Sequence, residues 1–115
     1  MNDPMSPVIA KREMTRTTQH GTTSLVEVRI GTPTFEEATR DRTKRWCCTV
    51  QILGIGEDRI HAVFGADAVQ ALYLALALAG VIIASSPAAK EIVSEEANFG
   101  FPPLPEITEE MRNAA

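Results

Sequence analysis

Two adjacent cysteines and two histidines are the most reactive side chains of this chain. Cys47 and Cys48 lie in the stretch RWCCTVQILGIG, and His20 and His61 lie elsewhere. A cysteine nucleophile needs a histidine within hydrogen-bond reach and a third group that orients the histidine. His61 could approach Cys47 across a sheet, but the sequence supplies no third group. We therefore expect no Cys–His pair and no catalytic residue, which means that the protein is not an enzyme.

The same cysteines predict neither a disulfide nor a metal site. A bond between sequence neighbours would need a strained local ring, and two cysteines without a second pair cannot complete a zinc site. The glycines Gly54 and Gly56 lack the third glycine and the following helix of a dinucleotide-binding turn. We expect no metal and no cofactor. Free thiols also favour the reducing cytoplasm as the location.

Charge is distributed unevenly along the chain. The formal net charge is −4, and the acidic excess lies after residue 65, which argues against a nucleic-acid partner. Adjacent carboxylates in loops are expected to be solvated, because acid–base catalysis needs carboxylates that converge in a pocket. The acidic candidates for partner binding are Glu95, Glu96, Glu106, Glu109 and Glu110. A second, basic patch consists of Arg40, Arg42 and Lys44.

Four segments predict β-strands, because β-branched and aromatic residues alternate with polar residues in them. They span residues 8–18, 23–31, 45–56 and 59–65. Segment 32–44 contains a proline and mixed charges and predicts a connector. In the last strand we expect Ile60, Ala62 and Phe64 to face the core. The alternation also predicts shared faces: Val26, Val28 and Ile30 on one face of the second strand, and Trp46, Cys48, Val50 and Ile52 on one face of the third.

The stretch GADAVQALYLALALAGVIIASSP predicts a long apolar helix over residues 67–85. Asp67 is a favourable N-cap, and Gln70 follows it at the spacing of a capping box. The uninterrupted apolar run of about 14 residues is shorter than the roughly 20 that cross a bilayer, so we expect no membrane span. Apolar residues lie on more than one side of this helix. Its second side therefore needs a cover, either the tail around Phe99–Pro105 or another protein chain.

Together these elements predict one α+β domain over residues 1–115. It consists of a four-stranded antiparallel meander sheet, one long apolar helix packed on one face, and an extended C-terminal tail. Residues 1–7 and 108–115 are expected to fray.

Three stretches of the chain carry a family resemblance. WCCTVQILG (Trp46–Gly54), FGADAVQALYLAL (Phe64–Leu76) and FGFPPLP (Phe99–Pro105) resemble a family of small bacterial domains of unknown function. The resemblance covers about the last 70 residues and implies a core strand, a capped helix and a closing tail, but no activity. In size and organisation the chain is also similar to immunity proteins that neutralise bacterial toxins, a likeness of architecture only.

Two functions remain open on this basis. The first is a small protein-binding module, most concretely an immunity-type inhibitor whose acidic surface steers it to a basic toxin. The second is a self-associating structural domain, a homodimer joined through the helix or through an edge strand. The sequence alone does not separate them.

Overall fold

The computed structural model describes residues 5–37 and 44–104, and six regular elements lie within these ranges. The strands are β1 (Val8–Thr17), β2 (Thr23–Gly31), β3 (Thr34–Glu37), β4 (Lys44–Leu53) and β5 (Ile60–Gly65), and they are followed by helix α1 (Ala68–Ser85). Short 3₁₀ turns at Ala89–Glu91 and Ala97–Gly100 shape the segment after the helix. Within the N-terminal segment that was expected to fray, the Pro7 carbonyl accepts hydrogen bonds from the backbone and the hydroxyl of Thr32.

The strands form one antiparallel sheet with β4 at its centre. β1 pairs with β2, and β2 pairs with the second half of β4. β3 pairs with the first half of β4 on the same edge, and β5 pairs along the opposite edge. The α+β class, the meander order and the packing of one long helix on the sheet are confirmed.

β3 is a strand that the sequence analysis treated as part of a connector. Its register places Glu36 opposite Arg45, a pair of opposite charge. Phe35 lies opposite Trp46, with the ring centroids 5.6 Å apart in an edge-to-face arrangement. The first part of the expected connector is thus a short strand that pairs with β4.

The face of the sheet under α1 holds the apolar core. The residues of β2 and β4 that were predicted to share a face lie on it, and all but the half-buried Trp46 are buried. The prediction for β5 is wrong: Val63 packs against the core, whereas Ala62 and Phe64 lie on the outer face. The register explains this, because Val63 is opposite Cys48 of the core face and Phe64 is opposite Cys47 of the outer face.

α1 begins and ends where the sequence predicted. The Asp67 carboxylate accepts a hydrogen bond from the Gln70 backbone, and the Gln70 side chain accepts one from the Ala66 backbone. At the other end, the Ser86 hydroxyl donates to the Ile83 carbonyl. The residues that α1 buries are mostly small, which lets the helix axis approach its neighbours closely. They are Ala71, Ala75, Ala77, Ala79, Gly80 and Ile83.

By length and composition α1 could cross a membrane. It has 18 residues with a mean hydropathy of 2.1, and 33% of them are buried inside the protein. A core helix of a soluble protein meets the same criterion, so the helix is weak grounds for a membrane location. Here α1 packs over β4 and β5 and contributes four fully buried residues to the core: Ala71, Ala75, Ala79 and Ile83.

The segment after α1 folds back over the remaining part of the sheet and over one side of the helix. Phe101 is 7% exposed, and its Cβ would lie 3.1 Å from a Cβ placed on Gly80. The Tyr73 hydroxyl donates to the Pro103 carbonyl over 3.0 Å. The predicted extended conformation begins only at Phe101, because Phe99 lies in a left-handed turn. Of the other apolar residues in this segment Ile92 is buried, whereas Val93 and Leu104 are exposed.

Replacement of Phe101 by alanine tests whether this tail is part of the core. Truncation of a buried phenylalanine removes its apolar contacts and leaves a cavity, so Phe101→Ala should lower the free energy of unfolding by about 3 kcal/mol. Leu104→Ala, at an exposed position of the same segment, should change it by less than about 0.5 kcal/mol. Urea denaturation of both variants measures the difference. Equal stabilities would contradict the assignment.

Candidate protein-interaction surface

Two arginines of β1 hold the segment that follows α1. Arg16 Nε donates to the Glu91 carboxylate over 2.7 Å, and its Nη1 donates to the Gly54 carbonyl over 3.0 Å. Arg12 Nη1 donates to the Phe99 carbonyl over 3.0 Å, and its guanidinium lies 4.6 Å from the Phe101 ring centroid. These contacts fix the chain on both sides of residues 93–96.

Residues 93–96, here called the Val93 loop, project from between these fixed points. Val93 is 81% exposed, the most exposed of the large apolar residues that the structure describes, and Glu95 and Glu96 are exposed as well. Ile92, directly before the loop, is buried and forms an isolated antiparallel bridge with Arg16. An exposed apolar side chain is therefore presented beside two carboxylates on a short, anchored segment.

Local hydrogen bonds shape the loop. The Ser94 hydroxyl accepts a hydrogen bond from the Glu96 backbone over 3.2 Å, which is the local turn that serine favours. Asn98 and Phe99 then adopt left-handed backbone angles, with φ of 51° and 56°. A non-glycine residue in this region costs about 1–3 kcal/mol and persists only where its surroundings hold it. The bond from Arg12 to the Phe99 carbonyl supplies such a restraint.

The structure brings only part of the predicted charged sites together. Glu95 and Glu96 lie exposed on the Val93 loop. Lys44 is the first residue of β4, opposite Glu37 in the register. The other predicted site residues lie outside the described ranges: Arg40, Arg42, Glu106, Glu109 and Glu110.

Arg45, which neighbours the predicted basic patch, stacks on an aromatic ring. Its guanidinium carbon lies 3.8 Å from the centroid of Phe64 on the outer face of the sheet. Cation–π contacts of this kind contribute about 0.5–1 kcal/mol at exposed sites. This arginine therefore has a structural partner within its own sheet.

The geometry of the sheet separates Cys47 from His61. Cys47 is paired with Phe64 and His61 with Val50, so the two side chains lie on opposite faces. Burial, followed by the nearby Glu36 carboxylate, raises the pKa of Cys47, and burial raises the pKa of Cys48 to about 11. Both thiols stay protonated at neutral pH, and the thiolate is the nucleophilic form.

Other clefts and clusters add no reactive group. A shallow open depression on the outer face is lined by Val8, Ile9, Ala10, Lys11 and Arg29. Within residues 5–37 and 44–104, no three His, Cys, Asp or Glu side chains are grouped so that they could hold a metal ion.

A family model described as Domain of unknown function (DUF6968) matches residues 10–103. The chain belongs to this family. The match spans β1 to Pro103 and includes both arginines and the Val93 loop, so the DUF6968 domain and the described fold coincide closely. No curated protein and no solved structure matches the chain. The predicted membership of a small domain family of unknown function is thus confirmed, and the family brings no activity with it.

Sequence reasoning missed the two arginines that fix this DUF6968 loop. Arg12, Met14 and Arg16 alternate along β1 and therefore share one face of the strand. Met14 packs against the core, so both arginines point to the side on which the tail lies. The alternation was a usable signal, but the charges made the strand look solvated.

His61 predicts how the stability of the domain responds to pH. Burial, followed by the positive charge of Arg59, lowers the pKa of His61, and Glu57 acts weakly in the opposite direction. The unfolded chain therefore binds the proton more tightly than the folded one, and stability is lost as pH falls through the ordinary histidine range near 6.5.

We expect the free energy of unfolding to decrease between pH 7.5 and pH 5.5, and His61→Gln to reduce that decrease. His20→Gln, in an exposed turn, is the control and should keep the pH dependence of the parent protein. Urea denaturation at the two pH values gives the comparison. An unchanged dependence in His61→Gln would contradict the prediction.

Proposed function

We propose that this domain is a non-enzymatic protein-binding module and that the Val93 loop is its contact surface. The observation that carries the proposal is Val93 itself, which is 81% exposed although the residues on either side of its loop are anchored. Burying an exposed valine side chain against a partner stabilises the complex by roughly 1.5–3 kcal/mol. A loop that is already ordered also loses little conformational entropy on binding.

The charge around Val93 favours a basic partner. Glu95 and Glu96 follow the apolar side chain in the same loop, and an apolar centre with a polar rim is the usual arrangement of an interface. Carboxylates at the rim accelerate association with a positively charged surface more than they increase affinity. Enzymes that act on nucleic acids present such basic surfaces, because they bind phosphates.

The more specific form of the proposal is an immunity-type inhibitor that occludes the active site of a toxin. Small size, an anchored apolar side chain and an acidic rim suit a protein that blocks a basic catalytic surface. The proposal places the domain in the cytoplasm, where its two free cysteines would remain reduced.

The test uses one defined partner, the product of the gene that lies next to this protein's gene in the native host. The full chain and that product are expressed together, and survival of the cells reports neutralisation. The complex is then purified, and its dissociation constant is measured by calorimetry. If the parent chain neither rescues the cells nor forms a complex that can be purified, the inhibitor proposal is contradicted.

Val93→Asp should weaken the purified complex by about tenfold or more, because a buried carboxylate replaces the apolar anchor. Val69→Asp is the matched control: Val69 is 77% exposed on α1, outside the proposed surface, and this variant should keep the parent affinity. The double variant Glu95→Lys, Glu96→Lys should slow association and alter its salt dependence. Equal affinities for Val93→Asp and Val69→Asp would place the contact surface elsewhere.

A further inference from the structure

Within the described residues, β1, β3 and β5 each pair with one strand, and the two longer ones, β1 and β5, differ in how well their free edges are protected. β1 carries charges at Lys11, Arg12 and Glu13, has a register irregularity after Val8, and is bridged by Ile92 near its end. Charges, bulges and covering segments are the devices by which proteins prevent an edge from pairing with another chain. β5 has none of them: its sequence IHAVFG contains no Asp, Glu, Lys or Arg, and within the described residues it pairs only with β4.

An apolar flank of α1 lies beside this unprotected edge. Ala75 is buried against the sheet, and Gly80 contacts Phe101 of the tail. Viewed along the helix axis, with 3.6 residues per turn, Gly80 lies about 140° from Ala75 in one direction. Leu74 and Val81 lie about 100° and 120° from Ala75 in the other direction. The tail lies on the β1 side, because Arg12 and Ile92 hold it there. Leu74 and Val81 therefore face the β5 side.

The geometry points to a homodimer in which β5 pairs antiparallel with β5 of a second copy while the two α1 flanks pack against each other. The two sheets then form one continuous sheet, with the two-fold axis perpendicular to it and both helices on the same face. This inference is independent of the proposed function, since the Val93 loop lies beside β1 at the opposite edge of the sheet.

Strand spacing and helix spacing agree in this arrangement. α1 packs over both β4 and β5, so its axis lies about midway between them. Two strand spacings of about 4.8 Å separate that line from the corresponding line in the second copy. The helix axes would thus lie about 10 Å apart, which is the distance at which helices pack. Pairing of the edges therefore brings the two flanks into contact without rearrangement.

The residues of β5 also fit their own copy. A two-fold axis that keeps both helices on one face must pass between a residue and its own copy. Ladders centred on Ala62 and on Val63 are equally long, and we place the axis at Ala62, which gives a ladder from Ile60 to Phe64. Ile60 then lies opposite Phe64 of the second copy on the outer face, a β-branched and aromatic pair of the kind that stabilises antiparallel strands. No like charges meet along this ladder.

The estimated contact area reaches the minimum for a specific dimer interface. α1 has 18 residues and is about 27 Å long, and the shortest dimension of the protein is 20 Å. An interface of that outline covers on the order of 500 Å² on each copy, or about 1,000 Å² in total, which is the lower bound for a specific interface. It would cover the flank of α1 that the tail leaves open.

Sedimentation equilibrium of the full chain tests the dimer. We expect twice the chain mass of 12.5 kDa at micromolar concentration. Val81→Lys should raise the dimer dissociation constant by about tenfold or more, because it buries an unpaired charge in the contact. Val69→Lys is the matched control, on the tail side of the same helix, and should leave the constant unchanged. A monomer up to about 100 μM in the parent chain would overturn the inference, as would a dimer equally sensitive to both variants.

Cross-linking tests the register without relying on a destabilised interface. Facing residues of antiparallel strands have Cα atoms about 4.5–5.5 Å apart, which a disulfide can bridge. Ala62→Cys should therefore form a covalent dimer under mild oxidation, and Thr15→Cys on the exposed edge strand β1 should not. A covalent dimer formed by Thr15→Cys alone would overturn the inference and assign the contact to β1. If the chain's own residues beyond Leu104 cover the α1 flank at Leu74 and Val81, both Ala62→Cys and Thr15→Cys should stay monomeric, and that result would also overturn the inference.

Discussion

Helix α1 has no charged residue between Ala68 and Ser85, and its few polar side chains do not form a face. Every side of such a helix that stays in water forfeits stabilisation from burial, about 25 cal/mol for each Å² of apolar surface. The arrangement of the other elements follows from this constraint. The sheet covers one side through β4 and β5, and the tail covers a second side through Phe101 and through Pro103, whose carbonyl accepts a hydrogen bond from Tyr73 of the helix.

Small residues make both of these contacts close. Ala71, Ala75 and Ala79 recur every four residues on the sheet side and are fully buried, so that little side-chain volume separates the helix from β4 and β5. On the tail side Gly80 admits Phe101, and any larger residue there would push the tail outward. The two arginines of β1 then hold the segment after α1: Arg12 through the Phe99 carbonyl and the Phe101 ring, and Arg16 through the Glu91 carboxylate. The Val93 loop owes its position to this packing, because it is the piece of chain between the two anchor points.

The elements that the sequence predicted correctly are those in which one pattern dominates. Alternation in β2 and the capping residues of α1 gave the same boundaries as the structure, because burial and local hydrogen bonding act in the same direction there. β3 was missed because it has only four residues, directly after a proline, and two of them are carboxylates, so nothing local distinguishes it from a connector. The faces of β5 were exchanged because apolar residues occupy both of them. The arginine contacts required knowledge of the tail position, which depends on residues more than 70 positions apart.

β5 contains no Asp, Glu, Lys or Arg, which fits an edge that is covered in the assembly. Charged side chains on an edge strand oppose pairing with another chain, and β1 carries them whereas β5 does not. In the proposed dimer the strand order is β1, β2, β4, β5 in one copy, followed by the reverse order in the second copy. Seven strand spacings therefore separate the two β1 edges, about 34 Å. The Val93 loops accompany those edges and point to opposite ends. Two such loops cannot reach the same small site, so each copy would bind its own partner and the complex would contain equal numbers of both chains.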